Sequence, residues 1–113
     1  MRVSNIKKGE AFTVYCGREN KWVNLPQSFW ANPFIMKKES QRKLVVCKYI
    51  KHLLRTDRKI LQEELAKLKD EDVLGCWCKP KLCHCDVIVA LKGVDLNLSN
   101  VILYKLIYEE IFK

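Results

Sequence analysis

Short β-rich runs alternate along this chain with longer segments of helical periodicity, and this alternation restricts the fold more than any other feature. Residues 11–16 form a β-rich run that ends at Gly17, and residues 72–77 form a second short apolar run. Apolar residues recur at helical spacing over residues 39–54, 57–68, 83–93 and 101–112. Strands that alternate with helices predict an α/β fold, here a small, single-domain, Rossmann-like parallel sheet flanked by helices.

Local signals set the boundaries of these elements. Asp57 is a good N-cap for the second helix, Pro80 cannot continue a central strand, and Gly93 stops the third helix. The remaining residues, 94–113, are expected to hold a C-terminal amphipathic helix. Residues 17–36 form a long irregular segment, and loops of that length in a small domain usually carry function.

Length and composition restrict the class of protein. A chain of 113 residues that is 49% hydrophobic provides one domain over residues 1–113 and excludes wholesale disorder. The apolar run at residues 87–91 is far shorter than the roughly 20 residues of a membrane span, and charge at Lys7 and Lys8 argues against a signal peptide. Six cysteines without such a signal indicate a reducing compartment, so we expect the cytoplasm, or the host cytoplasm for a viral protein.

Positive charge is concentrated in the first part of the chain. Residues 1–69 contain 16 Lys and Arg against 6 Asp and Glu, a net charge of +10, whereas residues 70–113 have a net charge of −2. This imbalance favours an anionic partner, either a nucleotide-like ligand or nucleic acid bound weakly. The plainer interpretation is that most of these lysines lie on the solvated faces of helices.

Four of the cysteines, Cys76, Cys78, Cys83 and Cys85, fall within ten positions. Residues two apart in a strand face the same side, so Cys76 and Cys78 are expected to project together at the carboxyl end of a strand. Cys83 and Cys85 lie at a predicted helix N-terminus, where the helix dipole favours a thiolate.

Three interpretations of this segment stay open from the residues alone. In the first, a zinc ion is held by Cys76, Cys78, Cys83 and either His84, the preferred fourth ligand, or Cys85. The two C-x-C pairs are nevertheless unlike a zinc ribbon or finger. In the second, Cys78 or Cys83 is a catalytic nucleophile, with His84 or Asp86 as its acid, base or orienting partner. In the third, the cysteines are small core residues and the polar side chains cap the helix.

The long loop supplies a second group of candidate binding residues. Gly17 and Arg18 directly follow a predicted strand, where a guanidinium is placed to bind phosphate or carboxylate. Lys21 adds charge, Trp30 adds an aromatic face for stacking, and Asn32 adds an amide that reads a polar edge. The alternative is that the aromatic residues only anchor the loop to the domain.

The ordered set of motifs in these two regions resembles the domain-of-unknown-function family 4326, over roughly residues 11–92. The resemblance rests on three motifs: Val14-Tyr15-x-Gly17-Arg18, the Leu25-Pro26 to Asn32-Pro33-Phe34 segment, and Cys76-Trp77-Cys78-x-Pro80-x-x-Cys83-His84-x-Asp86-Val87. It implies a Rossmann-like fold and a viral or bacterial setting, and it brings no established activity. Cys85 stands where the family commonly has a small residue, which ranks it last among the clustered cysteines for a shared role.

Together these observations predict a domain that binds a nucleotide-like or other phosphorylated ligand, with the Cys/His cluster in the same site. This hypothesis includes an enzyme that acts on a nucleoside or a nucleic-acid base. One alternative is a zinc-stabilised module that binds nucleic acid, and another is a viral interaction protein that sequesters a molecule without catalysis. The wide apolar band of residues 101–112 is expected either to cover the sheet or to form a homodimer, whereas no membrane partner is expected.

Overall fold

The computed structural model describes residues 1–79 and 81–113, so Pro80, which was expected to end a strand, lies outside the described residues. In these two ranges, three strands form one sheet: β1 (Arg2–Asn5), β2 (Val14–Tyr15) and β3 (Val73–Cys76). β3 lies in the centre, and both of its neighbours run parallel to it. The predicted α/β fold with a parallel sheet is therefore confirmed at this level.

β1 was not predicted from the sequence. Its four residues include a single apolar side chain, Val3, which gives no alternating pattern to detect. The strand is instead defined by its pairing with β3, in which Arg2 lies opposite Val73 and Asn5 lies opposite Cys76. Tertiary pairing thus forms a strand where local sequence preference does not indicate one.

The connection between β1 and β2 crosses one face of β3, and Gly75 makes this close approach possible. A Cβ atom at position 75 would lie 2.7 Å from Cγ of Phe12 and 2.9 Å from Cδ1 of Ile6. Because Phe12 belongs to this crossing, the strand predicted over residues 11–16 is shortened to Val14–Tyr15. The opposite face of the sheet, which carries Leu74, is left for the helices.

All four predicted helices are present in the described part of the chain. Their bounds are α1 (Arg42–Arg55), α2 (Arg58–Ala66), α3 (His84–Lys92) and α4 (Asn100–Ile111). The predicted N-cap of α2 is confirmed, because the Asp57 carboxylate accepts hydrogen bonds from the backbone N–H groups of Lys59 and Ile60, at 3.0 and 3.1 Å. Two apolar residues that were expected to face inward, Leu44 and Ile60, are instead about half exposed, at 56% and 47%.

The helices build the core on one side of the sheet. α3 packs against β1 and β3, and α4 packs against both α1 and α3. α4 buries Leu103 and Ile107 completely but leaves Val101 81% exposed and Ile102 47% exposed. Across residues 1–79 and 81–113, no helix combines the length and the hydrophobicity that a bilayer-spanning segment requires.

Candidate functional site

A cavity of about 190 Å³ lies where the chain leaves the carboxyl ends of β2 and β3. This is the edge at which open parallel sheets place their ligands. Its wall combines the segment after β2, the end of the long loop, the start of α1 and the segment that joins β3 to α3. The cavity is lined by Gly17, Arg18, Asn32, Phe34, Met36, Arg42, Val45, Val46, Trp77, Cys78, Leu82, Cys83 and His84.

Tyr15 ties the segments that follow β2 and β3 together at the cavity. Its hydroxyl donates a hydrogen bond to the carbonyl oxygen of Arg18 at 2.5 Å and accepts one from Nε1 of Trp77 at 3.4 Å. The ring folds over Gly17, so that a Cβ atom at position 17 would lie 2.6 Å from Cζ of Tyr15. Glycine at this position therefore lets the chain turn sharply and present Arg18 at the cavity.

The long loop is fixed to the domain by a buried hydrogen bond. The hydroxyl of Tyr49, in α1, donates to the carbonyl oxygen of Trp30 at 2.6 Å, and both residues are buried. Trp30 does not line the cavity, so the stacking role predicted for it is replaced by an anchoring one. Two residues further on, Oδ1 of Asn32 accepts from the Phe34 N–H at 2.9 Å and forms a local turn.

Two guanidinium groups line the cavity, and they differ in how they are engaged. Arg42 makes a two-pronged ion pair with Glu39, at 2.6 and 2.9 Å, and donates to the carbonyl oxygen of Leu82 at 2.6 Å. The Glu39 carboxylate accordingly raises the pKa of Arg42 above its ordinary value. Arg18 is exposed, and among the described residues its guanidinium makes no hydrogen bond or ion pair. Arg18 is therefore the cation that a ligand can engage.

His84, the first residue of α3, has a defined protonation state. Its Nε2 atom lies 2.5 Å from the carbonyl oxygen of Cys16, and because a carbonyl only accepts hydrogen bonds, Nε2 carries the proton. Burial lowers the pKa of His84, and the nearby charge of Arg18 acts in the same direction. At neutral pH the ring is thus mainly neutral, with Nδ1 as its unprotonated nitrogen.

Two predicted site residues lie away from the cavity. Asp86 accepts a hydrogen bond from the Cys83 N–H at 3.0 Å and pairs with Nζ of Lys79 at 3.4 Å, so it caps α3 as a helix N-terminus requires. Lys21 lies in a short exposed turn, Lys21–Val23, and lines shallow surface depressions instead. The cavity therefore contains only some of the predicted catalytic residues, without Asp86, and only some of the predicted binding residues, without Lys21.

Three cysteines form a group behind the cavity. The Sγ atoms of Cys76, Cys83 and Cys85 all lie within 4.8 Å of one another, and the exposed fractions of these residues are 1%, 3% and 0%. Such a cluster could hold a metal ion. Cys76 is the last residue of β3, whereas Cys83 and Cys85 lie at the start of α3. Cys83 also lines the cavity, so the cluster borders it directly.

This cluster differs from the predicted zinc ligands. Cys78 and His84 are outside it and Cys85 is inside it. β3 ends at Cys76, so the alternation of side chains that was to place Cys78 beside Cys76 does not extend to that position. Cys85 could have been found from the helical pattern, because it lies three residues before Ile88 on the buried stripe of α3.

The thiols of the cluster interact with one another. Hydrogen bonds from the Cys83 and Cys85 thiols lower the pKa of Cys76, and the backbone N–H groups of Cys78 and Lys79 contribute to the same shift. The contact with Cys76 raises the pKa of Cys83, whereas contacts with Cys16 and then with Cys76 raise that of Cys85. These contacts favour the thiolate form more at Cys76 than at Cys83 or Cys85.

The fold and the site define a small α/β domain with a cavity and a buried cysteine cluster at the carboxyl edge of a parallel sheet. The chain belongs to the domain-of-unknown-function family DUF4326, whose profile matches residues 2–93. It is 38% identical over 68 residues to the uncharacterized protein R718 of Acanthamoeba polyphaga mimivirus. That alignment covers 58% of this chain and 48% of the viral protein, so the chain spans about half the length of this relative. No solved structure matches the chain.

Proposed function

We propose that this domain binds a small phosphorylated, nucleotide-like ligand in the cavity at the carboxyl edge of the sheet, as Rossmann-like domains do. The observation that carries the proposal is the position of Arg18, an exposed guanidinium at this edge that has no side-chain partner among the described residues. An unpaired guanidinium is suited to bind phosphate through two parallel hydrogen bonds.

Other cavity residues provide the remaining contacts that such a ligand needs. The turn at Asn32 uses only Oδ1, so the two N–H donors of Nδ2 can form hydrogen bonds with a polar group of the ligand. Trp77 is 36% exposed beside Arg18 and offers an aromatic face to a base or sugar. The cavity, at about 190 Å³, is smaller than the roughly 300–1,000 Å³ of drug-sized pockets, which favours one base or one sugar phosphate.

The chemistry available beside the cavity extends the proposal to an enzyme that acts on a nucleoside or base. Cys78 lines the cavity together with Arg42 and offers a thiol as a nucleophile. His84 offers an unprotonated Nδ1 as a base. We expect a bound nucleotide to slow the alkylation of Cys78 by iodoacetamide, and an unchanged alkylation rate would contradict this extension.

The basic charge of residues 1–69 supports a small ligand more than nucleic acid. Several lysines of α1 lie over aromatic rings of this same domain: Nζ of Lys43 is 5.0 Å from the ring centre of Phe112, and Nζ of Lys51 is 5.6 Å from that of Tyr104. These lysines are partly used within the fold. Binding to duplex DNA should then be weak and should fall steeply with salt, whereas affinity that persists at high salt would favour the nucleic-acid alternative.

Isothermal titration with adenosine 5′-monophosphate, ribose 5-phosphate and inorganic phosphate tests the main proposal. We expect saturable binding of at least one probe, and we expect Arg18→Gln to weaken it by about 10-fold or more, since hydrogen bonds to charged groups contribute about 1.5–3 kcal/mol. Lys21→Gln is the matched control, because it removes the same charge from the same loop outside the cavity. Equal weakening by both variants, or binding of none of the probes, would overturn the proposal.

A further inference from the structure

We propose that Cys76, Cys83 and Cys85 hold a zinc ion through three thiolates, at a site that borders the ligand cavity. This inference does not depend on the proposed ligand, because it rests on other side chains. The three residues come from two elements, the end of β3 and the first turn of α3, so an ion there would join the sheet to the helix. A water molecule or a group that enters from the cavity would complete the tetrahedron.

The distances between the sulfur atoms fit this purpose. Zinc–sulfur bonds of about 2.3 Å place the sulfurs of a tetrahedral site about 3.8 Å apart. The three Sγ atoms already lie within 4.8 Å of one another, so small side-chain rotations are sufficient to bind the ion. A purely sulfur-based, buried set of ligands also selects a soft cation over magnesium or calcium, which prefer oxygen.

Local structure holds the cluster in place. Cys83 and Cys85 lie at the N-terminus of α3, where the positive end of the helix dipole favours negative charge. In the turn after Cys76, the Lys81 N–H donates to the carbonyl oxygen of Cys78 at 2.9 Å. The side-chain amide of Asn5 donates to the carbonyl oxygen of Lys79 and holds this turn in place. Such hydrogen bonds around the ligands are the usual second layer of a metal site.

Simple packing explains the cluster less well. Buried free cysteines commonly act as small apolar residues. Three buried sulfur atoms within 4.8 Å of one another, brought together from two elements, go beyond what packing requires. The ligand set that includes Cys78 and His84 is disfavoured, because neither of these residues belongs to the group of closely spaced ligand atoms.

The test is to load the full chain with zinc or cobalt under reducing conditions and to measure the bound metal by native mass spectrometry. We expect one ion per chain, and a sulfur-to-cobalt charge-transfer band with the intensity of three thiolates. Each cysteine thiol releases its proton to the solvent when it binds the metal as a thiolate. Cys85→Ser should weaken zinc binding by more than about 100-fold, beyond the 10–100-fold effect of losing an outer-layer contact.

Two control variants make the experiment decisive even if Cys85→Ser does not fold. Cys47→Ser and Cys78→Ser replace half-buried thiols outside the cluster, and both should leave the zinc content and the cobalt spectrum unchanged. Loss of metal in Cys78→Ser would overturn the proposal in favour of the ligands first predicted from the sequence. A wild-type protein that binds no zinc, or a folded Cys85→Ser variant that retains it, would also overturn the proposal.

Discussion

The cysteine cluster and the loop over residues 17–36 border the same cavity, but the chain builds them in different ways. The cluster comes from the adjoining ends of β3 and α3, and its sulfurs are buried. The loop has little regular structure, and bonds to residues distant in sequence, such as the one from Tyr49 to Trp30, determine its path. Regular elements fix the cluster, whereas single contacts fix the loop that carries Arg18 and Asn32.

This difference predicts that a substitution that disrupts the sheet affects both regions. A substitution that removes one loop contact should affect the loop alone. The predictions that follow are ordered by the size of the expected effect.

The largest effect is expected from Gly75→Val. The added side chain would collide with Phe12 and Ile6, which cross the sheet at 2.7 and 2.9 Å from the position of a Cβ atom. Overpacking of this kind in a core typically costs 1–3 kcal/mol, and we expect about 3 kcal/mol here because β3 is the central strand. Chemical denaturation should show this loss of stability. Gly93→Ala is the control, since its Cβ would lie 3.6 Å from the carbonyl oxygen of Ala90 and needs no rearrangement. A similar loss of stability in Gly93→Ala would contradict the account.

A smaller and more local effect is expected from Tyr49→Phe. The change keeps the ring but leaves the buried carbonyl oxygen of Trp30 without its donor, which should cost about 1–3 kcal/mol. Amide NMR signals of residues 28–34 should shift, whereas those of Cys76 and Cys85 should change little. Tyr108→Phe on α4 serves as a surface control. Equal shifts in the loop and the cluster would show that the two regions are not separately held.

The smallest effect concerns how the stability of the fold depends on pH through Asp72, which bonds to Thr13 just before β2. The pKa of Asp72 is lowered because its carboxylate accepts hydrogen bonds from the Lys69 N–H at 2.8 Å and the Thr13 hydroxyl at 2.9 Å. A lowered pKa in the folded state stabilises the protein above the unfolded-state pKa near 3.9, and this contribution is lost as the pH falls through the folded value.

Asp72→Asn should therefore reduce stability slightly at pH 7 and make the decline of stability below about pH 4 less steep. Urea unfolding at several pH values measures both effects. Asp70→Asn, two residues earlier, should show neither of them. A pH profile of Asp72→Asn that superimposes on that of the wild type would exclude this contribution of Asp72.

The sequence predicted the parts of the fold that local pattern determines. Helical periodicity located α1 to α4, and the apolar run before the cysteines located β3. β1 escaped detection because only its pairing with β3 makes it a strand. At the cavity, the rule that strand ends meet led to Arg18 and His84, which both line it.

Three other predicted site residues lie away from the cavity for a common physical reason. Trp30, Lys21 and Asp86 were assigned by residue type and position in the chain, yet their contacts are set by tertiary structure. Trp30 accepts the bond from Tyr49, Lys21 lies in an exposed turn, and Asp86 caps its own helix. Cys85 was ranked last by comparison with a family pattern, although its place on the buried stripe of α3 puts it in the cluster.

The central claim is that the cavity between the loop and the cluster is where a ligand binds. The most direct test is an NMR titration of the labelled protein with adenosine 5′-monophosphate, in which the affected backbone amides locate the nucleotide. We predict saturable shifts centred on Gly17, Arg18, Asn32 and His84, and their loss in Arg18→Gln. Shifts centred on the lysine-bearing surfaces of α1 and α2, with these four residues unchanged, would contradict the claim.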